Sequence, residues 1–162
     1  MAEITLSRIQ INLIEALKNF MKSNHINLFL QQLGYCGGLH FALLIFVRYL
    51  HENVIIYTYT QRQASQLFND FLQLIPNVKI IMKNMNSIEY IDNSNIKRYI
   101  EFSCYKTRSS GINALYIYTQ LLYDEVKFDS NRFVTKTIWF INSEIDNEVI
   151  KKHNGLLLFL NQ

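Results

Sequence analysis

Proline is almost missing from this chain: one residue of 162, Pro76, is a proline, and no tract of Ser, Gly or Pro breaks the sequence. A linker or low-complexity segment of that composition is thereby excluded, and residues 1–162 read as a single domain, long enough to bury a core. Cysteine is scarce too. Cys36 and Cys104 are too few and too far apart for a disulfide framework or a zinc site, which makes a reducing, intracellular compartment the expectation. Charge is thin, at 18% of residues with a formal net of +3. The nearest things to a basic cluster are Lys97/Arg98 and Lys106/Arg108, so charge alone does not argue for DNA binding. The longest apolar stretch, Leu39 to Val47, stops at Arg48, about half of the ~20 residues that a bilayer span needs. No basic-then-apolar signal peptide opens the chain, and no membrane association is expected.

What is present is apolar and aromatic. Hydrophobic residues make up 49% of the chain, with Tyr and Phe supplying nearly all the aromatics, a composition that offsets ordering entropy and argues against disorder. In SRIQINLIEALKNFMKSN, Ile9, Leu13, Leu17, Phe20 and Met21 share one helical stripe, and Ser7 precedes Gln10 in capping-box spacing. INLFLQQL (26–33) reads as a buried strand running into Gly34, Gly37 and Gly38, and LHFALLIFVRYLH (39–51) as a buried helix. NVIIYTYT (53–60) reads as a second strand, and RQASQLFNDFLQLI as an amphipathic helix closed by Pro76. Strands follow in NVKIIMKN, SIEYID and KRYIEFSCYK, the last two forming a hairpin because Asn-Ser-Asn tolerates positive backbone angles. Residues 114–123, 134–142 and 155–161 are strand-like as well. Strands interleaved with helices, several apolar on both faces, imply an α/β protein with a mostly parallel central sheet flanked by helices and a β-hairpin excursion.

A strand, a glycine turn and a helix are the setting of a phosphate site, since backbone N–H groups at the helix start point at an anion and the helix dipole favours it. Four further features follow in order: QINLIEAL ahead of the turn, VIIYTYTQRQASQLFNDFLQLIP after it, then SIEYIDNSNIKRYIEFSCYKTRSSGINALYIYT and TKTIWFINSE. Over residues 10–147 this order resembles the ATPase domain of the large terminase subunit of tailed phages and herpesviruses, the motor that packs viral DNA. The resemblance implies a P-loop NTPase-like fold. It places Gln10 where a glutamine reads adenine, and Gly34, Gly37, Gly38 and His40 around the nucleotide. Asp124 and Glu125 become the candidate catalytic acids.

The departures from that pattern matter more. If Gly34 precedes the lysine position, Tyr35 and Cys36 stand at the lysine and hydroxyl positions; if Gly38 does, Leu39 and His40 stand there. Neither register supplies the lysine that reaches the β- and γ-phosphates. The family's spacing from Gly111 lands on Gln120 and Leu121, and the acids Asp124/Glu125 come four residues later. The expectation is therefore a pseudo-ATPase with no bound cofactor. It would act as a binding or structural component in DNA packaging or nucleocapsid assembly, inside the host cell or in the virion, with a protein partner and double-stranded DNA contacted through Lys97, Arg98, Lys106 and Arg108. Two alternatives remain open. One is an active NTPase with ATP and Mg²⁺, where Arg62 or Arg48 replaces the lysine; the other is a Mg²⁺-dependent nuclease drawing on Glu89, Asp92, Glu101, Asp124 and Glu125. For each element there is also a plainer reading. The turn can be a tight connection without ligand, His40 a half-buried histidine, Gln10 a cap residue, and Tyr57, Tyr59, Tyr116 and Tyr118 sheet faces.

Overall fold

The computed structural model describes residues 5–31, 38–104, 113–121, 136–142 and 144–160. In chain order these form α1 (Arg8–Lys22), β1 (Asn27–Gln31), α2 (Leu39–Tyr49), β2 (Val54–Thr58), α3 (Gln61–Leu74), β3 (Lys79–Lys83), β4 (Ser87–Ile91), β5 (Lys97–Cys104), β6 (Leu115–Leu121), β7 (Thr137–Ile141), α4 (Asn147–Lys152) and β8 (Gly155–Phe159). The strands make one 8-stranded sheet in the order β3-β4-β5-β2-β6-β7-β1-β8. From β5 to β8 every neighbouring pair is parallel, while β4 and β3 return antiparallel beyond β5. The α/β class, the mostly parallel sheet and the hairpin excursion follow the expectation from sequence.

Local chemistry explains most of the boundaries. Ser7 and Gln10 close a capping box at the start of α1, with the Ser7 amide donating to Gln10 Oε1 at 2.8 Å. Thr60 and Gln63 do the same for α3. The β4–β5 turn is built on Asp92, whose Oδ1 accepts from the amides of Ser94 and Ile96, each at 2.9 Å, while Asn95 takes a φ of 63°. An asparagine adopts that left-handed conformation at low cost, as the Asn-Ser-Asn signal required. The short helix α4 was not expected. Its N-cap is Asp146, whose carboxylate accepts from the Glu148 amide.

Because strand side chains alternate, the sheet has two distinct faces. Helices α1, α2 and α3 cover one, packing Leu17, Phe20, Leu43 and Phe71 onto Leu28, Ile56, Phe102 and Ile117. Helix α2 lies between α1 and α3, which is why Ala42 to Val47 are buried on every side and the helix has no polar face. The opposite face carries an aromatic row at one level of the sheet: Tyr57, Tyr118, Trp139 and Phe29, on β2, β6, β7 and β1. Their ring centroids lie 4.7, 4.4 and 6.4 Å apart in sequence along the row. The register puts each ring beside the next, so the row fixes the mutual slide of four parallel strands.

Strand β1 sits between β7 and β8, and Asn27 ties the three together. Its Oδ1 accepts from the Trp139 indole N–H at 3.0 Å and its Nδ2 donates to the His153 carbonyl at 2.6 Å. Replacing Asn27 by Leu strands a buried indole N–H and a carbonyl, and should cost roughly 2–4 kcal/mol in urea unfolding. A double-mutant cycle with Trp139→Phe should return a coupling on the order of 1 kcal/mol. Additive effects would show that the indole bond does not contribute.

Candidate functional site

In an open parallel sheet a ligand crevice forms at the carboxyl ends of two neighbouring strands whose connections leave in opposite directions. Here that condition is met between β1 and β7. The chain leaving β1 passes through α2 to β2 on one side, and the chain leaving β7 passes through α4 to β8 on the other. The two helices lie on opposite faces of the sheet, α2 among the three-helix core and α4 through Ile150 against Phe29 and Trp139. Right-handed crossovers require that arrangement.

At this edge the structure brings together three of the residues singled out from sequence. Gly38 is the N-cap of α2, with a φ of 79° and no side-chain cap. The space beside it is taken by the Gln10 side chain, which a Cβ on residue 38 would strike. Gln10 Nε2 donates to the Gly38 carbonyl at 2.9 Å, and its Oε1 is already held by the Ser7 amide. Both ends of the Gln10 amide are thus spent within the protein, as cap and as tether between α1 and α2. Leu39, at the lysine position of one register, is 3% exposed in the core. His40, its neighbour, is half-buried, and burial holds its pKa below the ordinary 6.5. Nearby hydroxyls are committed too: Thr58 donates to the Thr60 carbonyl and Thr119 to that of Tyr57.

Gly34, Gly37, Asp124, Glu125, Lys106 and Arg108 lie outside the described residues. Of the two arginines considered as substitutes for the missing lysine, Arg62 stands in the first turn of α3, at the carboxyl edge. Arg48 is in the last turn of α2, at the opposite end of the helix from Gly38, with its guanidinium 5.5 Å from the Tyr49 ring centroid.

The basic pair proposed for nucleic acid lies at the other edge of the sheet, where β5 begins. Lys97 is exposed and pairs with Glu89. Arg98 is a correction to the sequence reading: it is 1% exposed and is no surface cation. Its guanidinium donates to the carbonyls of Val47 (2.7 Å), Arg48 (3.0 Å) and Glu52 (3.1 Å), and to the Tyr90 hydroxyl (2.9 Å). It closes the carboxyl end of α2, where unpaired carbonyls and the negative end of the helix dipole favour a cation. Burial lowers its pKa, yet a guanidinium remains charged. Lys136, which sequence reasoning missed, does the same for α1 by donating to the carbonyls of Phe20, Ser23 and His25 at 2.9, 2.7 and 2.7 Å. A lone lysine before a strand gives no sequence signal of that role.

Of the carboxylates considered for a nuclease, the three among the described residues each have a separate partner. Glu89 faces Lys97, Asp92 holds the hairpin turn and His51, and Glu101 accepts from the Tyr99 hydroxyl. Among the described residues no group of three or more His, Cys, Asp or Glu is placed to hold a metal ion, and no helix is long and apolar enough to cross a membrane. No protein-family model matches the chain, and comparison with curated proteins and with solved structures gives no match.

Since the folded state resists protonating His40, the unfolded chain binds the extra proton below about pH 6.5, and stability should fall as pH drops through that window. His153, also held low by burial and by Lys152, adds a slope of the same sign. The readout is therefore a shallower fall in His40→Gln than in the parent, by chemical unfolding between pH 7.5 and 5; equal slopes would mean that His40 is not held neutral. Arg98→Lys, which cannot reproduce the planar fork, should cost roughly 2–3 kcal/mol. Lys97→Ala, removing an exposed ion pair, should cost under about 1 kcal/mol.

Proposed function

We propose that this chain is a degenerate relative of the terminase ATPase domain, keeping a P-loop-like scaffold without the chemistry and working as a binding or structural component of a viral DNA-packaging or nucleocapsid assembly. The observation that carries the reading is the connection from Gln31 to Phe41, which holds three glycines and no lysine or arginine. It leaves the sheet at the β1/β7 switch point, the place where an α/β protein of this kind would hold a nucleotide. Two features support loss of hydrolysis. The approach to Gly38 is filled by the Gln10 amide, and Leu39 is turned into the core. Phosphoryl transfer depends on positioned cations and metal, and removing such groups costs about 10³-fold or more in rate.

The test is ligand-linked stability. A nucleotide present at about 100 times its Kd adds ~2.7 kcal/mol to a folded protein, several degrees in Tm for a chain of this size. Millimolar ATP with Mg²⁺ should leave the melting temperature unchanged, and phosphate release should match that of an Asp124→Asn/Glu125→Gln variant, with and without double-stranded DNA. A clear upward shift, or release that the double substitution abolishes, would overturn the proposal in favour of a working NTPase.

A further inference from the structure

Strand β8 ends the sheet beside β1, and its ladder to β1 runs from Gly155 to Phe159 without a slip in register. It consists of a glycine, three leucines and a phenylalanine, with no charge and no proline. Soluble proteins normally blunt an edge strand with charges, a bulge or a proline. Strand β3, at the other end of the sheet, has two of these safeguards, in Lys79 and Lys83 and in a slip of register between Ile80 and Met82. Strand β8 has none of them. Phe159 is 62% exposed, and among the described residues no strand pairs with the outer side of β8.

The main-chain bonds at its two ends say which groups face outward. The Asn154 carbonyl accepts from the amides of Ile26 and Asn27, and the Leu160 amide donates to the Gln31 carbonyl. Alternate residues of a strand turn their N–H and C=O to the same neighbour. Leu156 and Leu158 therefore bond to β1, while Gly155, Leu157 and Phe159 turn theirs away from it.

A second copy laid antiparallel about a two-fold axis through Leu157 pairs all of these outward groups. Leu157 faces Leu157 of the second copy, and Gly155 faces its Phe159, each as a hydrogen-bonded pair that exchanges two bonds. The side chains agree with this register as well. Gly155 can carry no side chain, because a Cβ there would strike the Phe29 ring, so the exposed Phe159 ring of the second copy has bare backbone to lie on. The strand brings no charge to repel its copy, and the complement to each of its ends is its own other end.

We propose that β8 is the interface of a homodimer, in which two copies join edge to edge into one continuous sheet. The inference is independent of the nucleotide question. The two-fold axis reverses the strand direction, so the two glycine turns open on opposite rims of the joined sheet.

The test is the oligomeric state of the full chain. One strand pair is a small interface, so sedimentation velocity over about 1–100 µM should show monomer passing reversibly to dimer. Phe159→Pro removes the exposed ring and an outward N–H that β1 does not use, a substitution that the open side of an edge strand tolerates. Its dimer should be about tenfold or more weaker, with circular dichroism checking that the fold is kept. Cross-linking in a Cys36→Ser/Cys104→Ser background reads the register. Leu157→Cys should join two copies on mild oxidation, since residues paired in this way lie about 5.5 Å apart, within disulfide reach. Phe159→Cys, roughly 14 Å from its equivalent in the second copy, should not. The proposal is overturned by a chain that stays monomeric at all these concentrations, by a dimer as tight in Phe159→Pro as in the parent, or by cross-linking at position 159 and not at 157.

Discussion

The position of β1 is the constraint on which one flank of the sheet, and the crevice beside it, depends. It is the first strand made, yet its neighbours are the last two, and both of its ladders join residues more than a hundred positions away. The flank of the sheet beyond β6 cannot close until β7 and β8 arrive, a strongly non-local topology of the kind that folds slowly. Leu28, Phe29 and Leu30 are fully buried in the end, so the sequence can afford no polar face on a strand that begins unpaired. Asn27 and Gln31 at its two ends are the exceptions, and the polarity of Asn27 is used to recognise the two late partners. Its amide bonds to β7 and to the turn before β8, which fixes the register of both at one point.

The same threading creates the crevice at the carboxyl edge. Once β1 is placed between β7 and β8, the connections on either side must part, and the turn at Gly38 comes to the place where the sheet opens. Whether such a place holds a ligand depends on what fills it. Here the Gln10 side chain takes the space beside Gly38, drawn in by the capping box that orients the start of α1. A glycine with positive φ is needed at this point for the backbone turn and for close approach, and a protein amide makes the approach.

Much of this was legible in the sequence because it rests on short-range rules. The capping box at Ser7/Gln10, the alternating aromatic strands and the asparagine-rich hairpin each follow from residues a few positions apart. The role of Arg98 did not, since a lysine-arginine pair beside a turn looks like surface charge, and its burial depends on where α2 ends, about fifty positions earlier. Lys136 was hidden for the same reason, with its acceptors in the α1–β1 connection more than a hundred residues away. Helix α4 escaped notice because six residues give too little periodicity to read. Of the nucleotide-site candidates, Gln10, Gly38 and His40 did gather, but Gln10 turned out to spend its amide on Gly38, a contact that spacing does not reveal.

Arg98 and Lys136 have an electrical consequence for the molecule as a whole. Both are committed to helix carboxyl termini at one rim of the sheet, so two of the cations behind the formal charge of +3 spend their hydrogen bonds on neutral carbonyl oxygens. Because both keep their charge, a polyanion approaching from solution still feels them in the field of the whole molecule, while neither charged group is left to grip it. Any grip on nucleic acid would have to come from other cations, at short range and after collision.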